Sequence, residues 1–220
     1  MVSRKLATPS ESTFSLGGGS TPIVRRYPIQ GRSQDKVQRI LATTAELVDS
    51  MPLESITMAA IADAAGASFS SIYRFFPSKE AILEAVALAS LDRLQAVYEA
   101  YFSGPRPASG AAVIDGAIDT YIAFVEREPG FKELWLSAPE TPELSGRHRR
   151  VSEVALNMAK LYALEPLGIP ASPEIDLRLA IAAEATMQIL RYAFQQNQYP
   201  QEQVTGELKR WLKAALLMFV

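Results

Sequence analysis

The sequence contains no cysteine and a single histidine, His148. The absence of cysteine excludes disulfides, thiolate zinc sites and cysteine nucleophiles. Histidine is the usual general base and metal ligand near neutral pH. This lone histidine lies among arginines, and the sequence has no second histidine that could share a metal site with it. Phosphate-binding glycine loops, nucleophile elbows and dinucleotide fingerprints are also missing from the chain. We therefore predict no catalytic residue, no metal and no cofactor, and we expect a protein that is not an enzyme.

Long apolar runs and a secretory leader are absent as well. No stretch approaches the roughly 18 apolar residues that a membrane-spanning helix needs, and residues 1–24 have no apolar core of signal-peptide length. Apolar residues nevertheless make up 48% of the chain, which is enough for a core without crosslinks. These observations predict a soluble, cytoplasmic protein with no membrane partner.

Net charge is also low, but the charges are unevenly distributed. The formal net charge of −2 gives no indication of a nucleic-acid partner by itself. Residues 21–39, however, carry five basic side chains against one acidic side chain, a net charge of +4. Residues 81–220 carry 13 basic and 17 acidic side chains, a net charge of −4. The basic segment is either a solvated tail or an arm that neutralises phosphates.

The spacing of apolar residues predicts an all-α protein. Residues 1–30 are rich in Ser, Thr, Gly and Pro, and we predict that they form a disordered basic arm. Beyond them, apolar residues recur with the 3.6-residue period of a helix. The predicted helices lie near residues 33–50, 58–65, 68–76, 79–102, 111–127, 130–137, 143–165, 173–197 and 201–219.

Two short predicted helices joined at Gly66 give the clearest indication of function. Thr57 is a suitable N-cap for the first helix, and Gly66 permits the tight turn that ends it. Ile72 and Phe76 lie four residues apart on the second helix and are expected to face the core. This pattern predicts a helix-turn-helix. The remaining face of the second helix carries Ser68, Phe69, Ser70, Ser71, Tyr73 and Arg74.

Such a helix fits the major groove of double-stranded DNA, where its N-terminal residues reach the edges of bases. Hydroxyl groups can bond to bases or phosphates, and an aromatic ring can lie on the methyl group of thymine. Helix N-termini attract phosphate, and this favours positions such as Thr57 and Lys79. Upstream, Arg25, Arg26 and Arg32 either enter a minor groove as a flexible arm or remain a solvated tail.

The segment "ITMAAIADAAGASFSSIYRFFPSKEAIL" resembles the DNA-binding domain of the TetR (tetracycline-repressor-like) family of bacterial transcriptional regulators. The resemblance covers about residues 34–83. It implies an all-helical homodimer whose C-terminal domain holds a small-molecule pocket and the dimer interface. The residues that carry the resemblance are Thr57, Ile61, Ala62, Ala65, Gly66, Tyr73, Phe76, Ser78, Lys79 and Glu80.

The resemblance also implies roles for single residues. These are phosphate contacts for Thr57, Tyr73 and Lys79, and base contacts for Phe69, Ser70 and Ser71. The sequence departs from the family at Phe75, where many members carry a histidine, and in the apolar character of Phe69. Both departures favour apolar contacts with thymine over hydrogen bonds. We therefore include Phe75 among the predicted DNA-binding residues, with a half-buried position against the first or fourth helix as the alternative for either Phe69 or Phe75.

Three segments follow from this interpretation: the arm at 1–30, a helix-turn-helix DNA-binding domain at 31–80, and a larger helical domain for effector binding and dimerisation at 81–220. In the third segment, aromatic and apolar side chains indicate a pocket for a small lipophilic or aromatic effector, with plain core as the alternative for each. The candidates are Tyr121, Phe124, Phe131, Trp135, Met158, Tyr162, Met187 and Tyr192.

The sequence thus predicts a ligand-responsive repressor that binds a palindromic operator as a homodimer and is released by its effector. Broad apolar faces on the last two predicted helices favour dimerisation there, although they could also complete a monomeric core. Two other hypotheses are an all-helical enzyme with an incidental helix-turn-helix and a helical interaction module that binds no DNA. The missing catalytic motifs weigh against the first, and the +4 segment at residues 21–39 weighs against the second.

Overall fold

The structure, a computed structural model, describes residues 31–105, 107–137, 172–195 and 198–216, together with 142, 146, 153, 156, 157, 160, 164 and 168–170. Over these residues the regular structure is helical and contains no strand, which confirms the all-α prediction. The predicted arm at 1–30 lies outside the described residues, as does most of the helix predicted at 143–165. The helices are α1 (Gly31–Ser50), α2 (Met58–Ala64), α3 (Phe69–Tyr73), α4 (Lys79–Ser103), α5 (Gly110–Arg127), α6 (Phe131–Ser137), α7 (Pro173–Gln195) and α8 (Gln201–Leu216), with a 3₁₀ turn at Leu53–Ser55.

Helix α1 packs on α2 and α4 through the apolar stripe seen in the sequence. Ile40, Ala45 and Val48 are buried on this stripe. Thr44 is buried among them, and its hydroxyl donates to the Ile40 carbonyl at 2.7 Å. Because that bond satisfies the only polar group of the Thr44 side chain, the stripe functions as a fully apolar face.

The turn between α2 and α3 has the geometry that its residues predict. The Thr57 hydroxyl accepts a hydrogen bond from the Ala60 amide at 3.1 Å and so caps α2. Gly66 has a φ of +57°, in the left-handed region that favours glycine. The Ala67 amide then donates to the Ala62 carbonyl at 2.9 Å, which closes the end of α2. The predicted cap and the predicted glycine turn are both confirmed.

Helix α4 connects the helix-turn-helix to the rest of the protein. The Ser78 hydroxyl accepts from the Ala81 amide at 3.3 Å and caps its start, as predicted. Its 25 residues rise about 37 Å along the axis. Buried residues from Ile82 to Phe102 line its length, and the helix contacts α1, α5 and α6.

A turn at residues 128–130 joins α5 to α6 and binds two other helices. The Gly130 amide donates to the Asp49 carboxylate of α1 at 2.9 Å. The Glu128 carboxylate accepts from the Ser90 hydroxyl at 3.2 Å and from Arg93 Nε at 2.6 Å, both on α4. This junction, called here the 128–130 turn, therefore fixes α1 and α4 relative to α5 and α6.

Helices α7 and α8 pack against each other, and α8 also packs on α5. Lys209 pairs with Asp119 at 2.5 Å and Lys213 pairs with Asp115 at 2.6 Å across the α8–α5 contact. Within the described part of the chain, no helix has the length and apolar character needed to cross a membrane. Four large apolar side chains of the α7–α8 pair remain exposed: Leu177, Ile181, Tyr192 and Trp211.

Candidate DNA interface and effector site

Helix α3 has five residues and is oriented by two buried side chains. Ile72 and Phe76 are fully buried and belong to the same core cluster as Ile61 of α2, as the spacing predicted. Because these side chains fix the rotation of the helix, its opposite side faces solvent. The side chains on that outer face are Ser68, Phe69, Ser70, Tyr73 and Arg74, which are exposed, and Ser71, which is half-buried.

The outer face of α3 combines apolar rings with hydroxyl groups. Phe69 is 50% exposed, and its ring makes an edge-on contact with the Tyr73 ring at a centroid distance of 4.8 Å. The hydroxyls of Ser68 and Ser70 lie 3.3 Å apart beside this pair. Such a face offers both apolar contact to thymine methyl groups and hydrogen bonds to base edges or phosphates.

Thr57 and Lys79 flank this face but differ in their surroundings. Thr57 is exposed, and since its hydroxyl oxygen accepts from Ala60, its hydroxyl proton remains available as a donor. The Lys79 ammonium instead donates to the carbonyls of Leu53 at 3.1 Å and Ile56 at 2.8 Å. It therefore anchors the 3₁₀ turn that precedes α2, and its third N–H is left for the phosphate contact that the family resemblance implies.

The structure contradicts the predicted DNA contact of Phe75. Its side chain is 4% exposed and belongs to the hydrophobic core. The reason is its spacing, since Phe75 lies three residues after Ile72 and so faces the same side of a helical segment. Arg74 lies next to it at the surface, with its guanidinium carbon 5.9 Å from the centroid of the Phe75 ring.

Of the three arginines predicted to contact DNA upstream of the helix-turn-helix, the structure describes only Arg32. Arg25 and Arg26 lie outside the described residues, and Arg32 lies in the first turn of α1. Their assignment to a DNA groove therefore stays a prediction.

A second candidate site is a group of aromatic rings around Trp135. The Trp135 ring lies 5.5 Å from the Tyr121 ring, 6.3 Å from the Phe131 ring and 6.0 Å from the Phe194 ring, measured between centroids. Phe124 completes the group at 5.1 Å from Phe131. These five residues are called the Trp135 cluster, and four of them are pocket candidates from the sequence.

The structure describes two of the other four pocket candidates, Met187 and Tyr192. Tyr192 is 44% exposed on α7, and its assignment to the pocket stays a prediction. Met187 is partly buried against the core. Met158 and Tyr162 lie outside the described residues. Phe194 was not among the pocket candidates from the sequence, although its spacing of four from the buried Leu190 indicated an inward-facing position.

Two polar groups meet the Trp135 cluster. The Tyr121 hydroxyl is buried and has no hydrogen-bond partner in the described part of the chain. Burial raises the pKa of Tyr121 well above its usual value, with a further increase from Tyr98 and a partial decrease from the Arg191 guanidinium. Arg191, also missed from the sequence, lies with its guanidinium carbon 5.5 Å from the Trp135 ring centroid. At neutral pH, Tyr121 is therefore a protonated donor without an acceptor.

Two segments of the chain match known protein families, and these matches identify the family of the chain. Residues 40–86 match the family described as "Bacterial regulatory proteins, tetR family", and residues 108–220 match "Tetracyclin repressor-like, C-terminal domain". The chain belongs to the TetR family. The second match covers 113 of the 220 residues, and the resemblance drawn from the sequence is confirmed.

Solved structures share the fold of this TetR-family protein. A TetR-family transcriptional regulator from Streptomyces coelicolor is 24% identical, with a TM-score of 0.62 over 84% of this chain and 99% of that one. RolR, solved in complex with resorcinol, is 16% identical, with a TM-score of 0.56 over 86% of this chain and 89% of that one.

A curated relative also matches part of the chain. The nucleoid occlusion factor SlmA of Marinomonas sp. is 25% identical over 130 residues, which cover 57% of this chain. The match spans 63% of that relative, less than two thirds of its length.

In this TetR-family chain, the Trp135 cluster is physically connected to the helix-turn-helix. Phe131 follows directly after Gly130, whose amide is bonded to Asp49 of α1. Tyr98 of α4 donates to the Ala117 carbonyl of α5 at 3.1 Å, beside Tyr121 on the same helix. These two hydrogen bonds link α5 and the start of α6 to α4 and α1.

Proposed function

We propose that this TetR-family regulator is a cytoplasmic, ligand-responsive repressor. It binds a palindromic operator as a homodimer and is released by a small lipophilic or aromatic effector. The observation that carries the proposal is the outer face of α3, where Phe69 and Tyr73 stay exposed because Ile72 and Phe76 are buried opposite them. The serine hydroxyls beside these rings favour DNA over the alternative of an interaction module that binds no DNA.

DNA binding is supported by what the outer face offers. In the free protein the rings of Phe69 and Tyr73 expose apolar surface to water. Contact with thymine methyl groups in the major groove would bury that surface, which is favourable. The neighbouring hydroxyls add donors and acceptors for base edges. Arg74 contributes a cation at the rim of the same face, where phosphates would lie.

The proposal predicts tight, sequence-selective and salt-sensitive binding to DNA. A site selected from random duplexes should be palindromic and should be bound at least about a thousandfold more tightly than random DNA. Arg74→Gln should weaken binding to all sequences and lower the slope of log affinity against log salt by about one per subunit. Ser71→Ala should instead change the sequence preference. Fluorescence anisotropy at several salt concentrations measures all three results.

The control is Arg127→Gln, which removes an exposed arginine of α5, a helix that belongs neither to the helix-turn-helix nor to the proposed α7–α8 interface. It should leave affinity and salt slope unchanged. Equal, weak binding to every duplex by the unmodified protein would show that the helix-turn-helix does not read sequence.

Dimerisation through the last two helices is supported by the exposed apolar residues of α7 and α8. Leu177 and Ile181 are one helical turn apart on α7, and Trp211 adds a large exposed ring on α8. Large apolar side chains that stay exposed favour a protein interface. A two-fold axis through such a face would place two copies of α3 on the two half-sites of a palindrome.

We expect Ile181→Glu to give a monomer that binds DNA at least about 100-fold more weakly, because the two reading heads no longer act together. Ile181 is 60% exposed, so the substitution leaves the core of the subunit intact. Sedimentation velocity measures the association state and anisotropy measures the affinity. Val97→Glu is the control, since Val97 is 39% exposed on α4 and lies outside the proposed interface. A dimeric Ile181→Glu variant would place the interface elsewhere.

A further inference from the structure

We propose that the effector of this regulator is a small aromatic carboxylate that binds at the Trp135 cluster, accepting a hydrogen bond from Tyr121 and pairing with Arg191. This proposal rests on the proposed ligand-responsive function and specifies the chemistry of its ligand. Three independent features of the cluster carry it: its rings, its buried hydroxyl without a hydrogen-bond partner among the described residues, and its cation without a carboxylate partner among the same residues.

The aromatic rings of the cluster determine which apolar group of a ligand would bind there. The Trp135 cluster brings together five aromatic side chains from α5, α6 and α7 at centroid distances of 5.1–6.3 Å. Aromatic surfaces of this kind gain most from edge-on and offset contacts with another ring. A flat aromatic molecule is therefore the apolar body that the cluster recognises best.

The Tyr121 hydroxyl sets the first polar contact. A buried hydroxyl without a partner is unfavourable, and few such groups persist in folded proteins without a function. The hydroxyl of the neighbouring Tyr98 differs, since it donates to the Ala117 carbonyl at 3.1 Å. Of these two buried tyrosines, Tyr121 keeps its donor unused within the described part of the chain, so a ligand with an acceptor would complete it. An ionised acceptor gives the stronger bond.

Arg191 sets the charge of the ligand. Its guanidinium lies over the Trp135 ring and is half-buried, and no carboxylate among the described residues pairs with it. It is close enough to influence Tyr121 electrostatically. An arginine held on a ring presents the edge of its planar fork, which suits the two oxygens of a carboxylate. Hydroxyl and cation together therefore select an aromatic acid over a neutral or cationic aromatic.

Binding at this site also supplies a means of regulation. The rings of the cluster are in mutual contact, so a ligand that enters between them must move α6 relative to α5. Phe131 begins α6 next to Gly130, which is bonded to Asp49 of α1. A ligand that binds only the displaced arrangement shifts the equilibrium toward it by its difference in affinity for the two states. The reading heads would then lose the spacing that fits DNA.

The test measures binding of benzoate, 4-phenylbutanoate and 2-naphthoate to the full chain by calorimetry, each beside its uncharged primary amide. At least one carboxylate should bind more tightly than its amide by about tenfold or more. Quenching of tryptophan emission by that ligand should survive Trp211→Phe and be lost in Trp135→Phe, since these are the two tryptophans of the chain.

Single substitutions assign the two polar contacts. Tyr121→Phe, which removes one oxygen, should weaken carboxylate binding about tenfold or more and should not lower the thermal midpoint of the ligand-free protein. Arg191→Gln should abolish the preference for the acid over the amide. Lys132→Gln is the matched control, because the Lys132 ammonium lies 6.0 Å from the ring centroid of Phe194 but is exposed. It should leave both affinities unchanged.

Several outcomes would overturn the inference. They are equal affinity for acid and amide, an unchanged preference in Arg191→Gln, and no carboxylate binding below about 1 mM. DNA affinity measured in parallel separates this inference from the function on which it rests. Selective DNA binding without carboxylate binding rejects the ligand class alone, whereas carboxylate binding without DNA binding rejects the repressor and retains the site.

Discussion

Phe76→Ala should lower the free energy of unfolding by about 3–5 kcal/mol, because it removes a fully buried ring from the junction of α2, α3 and α4. Phe69→Ala should change the same quantity by no more than about 0.5 kcal/mol, since the Phe69 side chain is half exposed. The two residues lie seven positions apart on the same segment and undergo the same chemical change. Urea denaturation followed by circular dichroism measures both.

Phe69→Ala, which has the smaller effect on stability, should nevertheless have a large effect on DNA affinity. Phe69→Ala remains folded and should still lose about tenfold or more in operator affinity, because the ring is proposed to contact thymine methyl groups. Operators carrying deoxyuridine in place of thymine test that contact directly. The unmodified protein should discriminate between them, and Phe69→Ala should not. Equal affinity of Phe69→Ala and the unmodified protein would remove Phe69 from the interface.

Gly130→Ala should lower the free energy of unfolding by about 2–4 kcal/mol, the sum of a backbone cost and a steric cost. Gly130 has a φ of +70°, which an alanine adopts only with strain. A Cβ at this position would lie 2.9 Å from the Ala45 carbonyl oxygen and 3.1 Å from Ala45 Cα. Both are backbone atoms of α1, so the contact cannot be relieved by a side-chain rotation.

Gly66→Ala is the matched comparison for this effect. Gly66 also has a positive φ, +57°, but a Cβ there would meet no atom within 4 Å. It should show only the backbone cost of about 1–2 kcal/mol. The difference between the two variants, measured in the same urea experiments, reports the packing of the 128–130 turn on α1. If the two variants lose equal stability, that packing does not contribute.

The helix-turn-helix illustrates how much of this protein follows from local sequence. Thr57 caps α2 and Ser78 caps α4 in the structure as the sequence predicted, because a cap depends only on residues within the next turn. Gly66 and the burial of Ile72 and Phe76 follow in the same way from backbone sterics and helical spacing. The same spacing argument predicts a buried Phe75, because it lies three residues after Ile72. Its DNA contact was inferred instead from the family comparison, and that inference is wrong.

The candidate effector site shows where local reasoning ends. Helical periodicity identified apolar faces on α5, α6 and α7 but not which ring meets which. Tyr192 and Phe194 are two residues apart on α7, yet one is exposed and the other packs on Trp135. Arg191 lies between them in sequence and stacks on the same tryptophan. Only the packing of α7 on α6 distinguishes these three neighbours.

The sequence by itself determined the described helices, the caps at Thr57 and Ser78, the glycine turn and the family resemblance, because each depends on contacts within a few residues or on a continuous pattern. The tertiary structure alone decided the partners over long distances in the chain. Lys79 bonds to carbonyls 26 and 23 residues before it, and Gly130 bonds to Asp49 across 81 residues. The tertiary structure also leaves the Tyr121 hydroxyl without a partner among the residues that it describes. The reason is physical: periodicity specifies which face of a helix is buried, whereas the neighbour on that face is chosen by the packing of the whole chain.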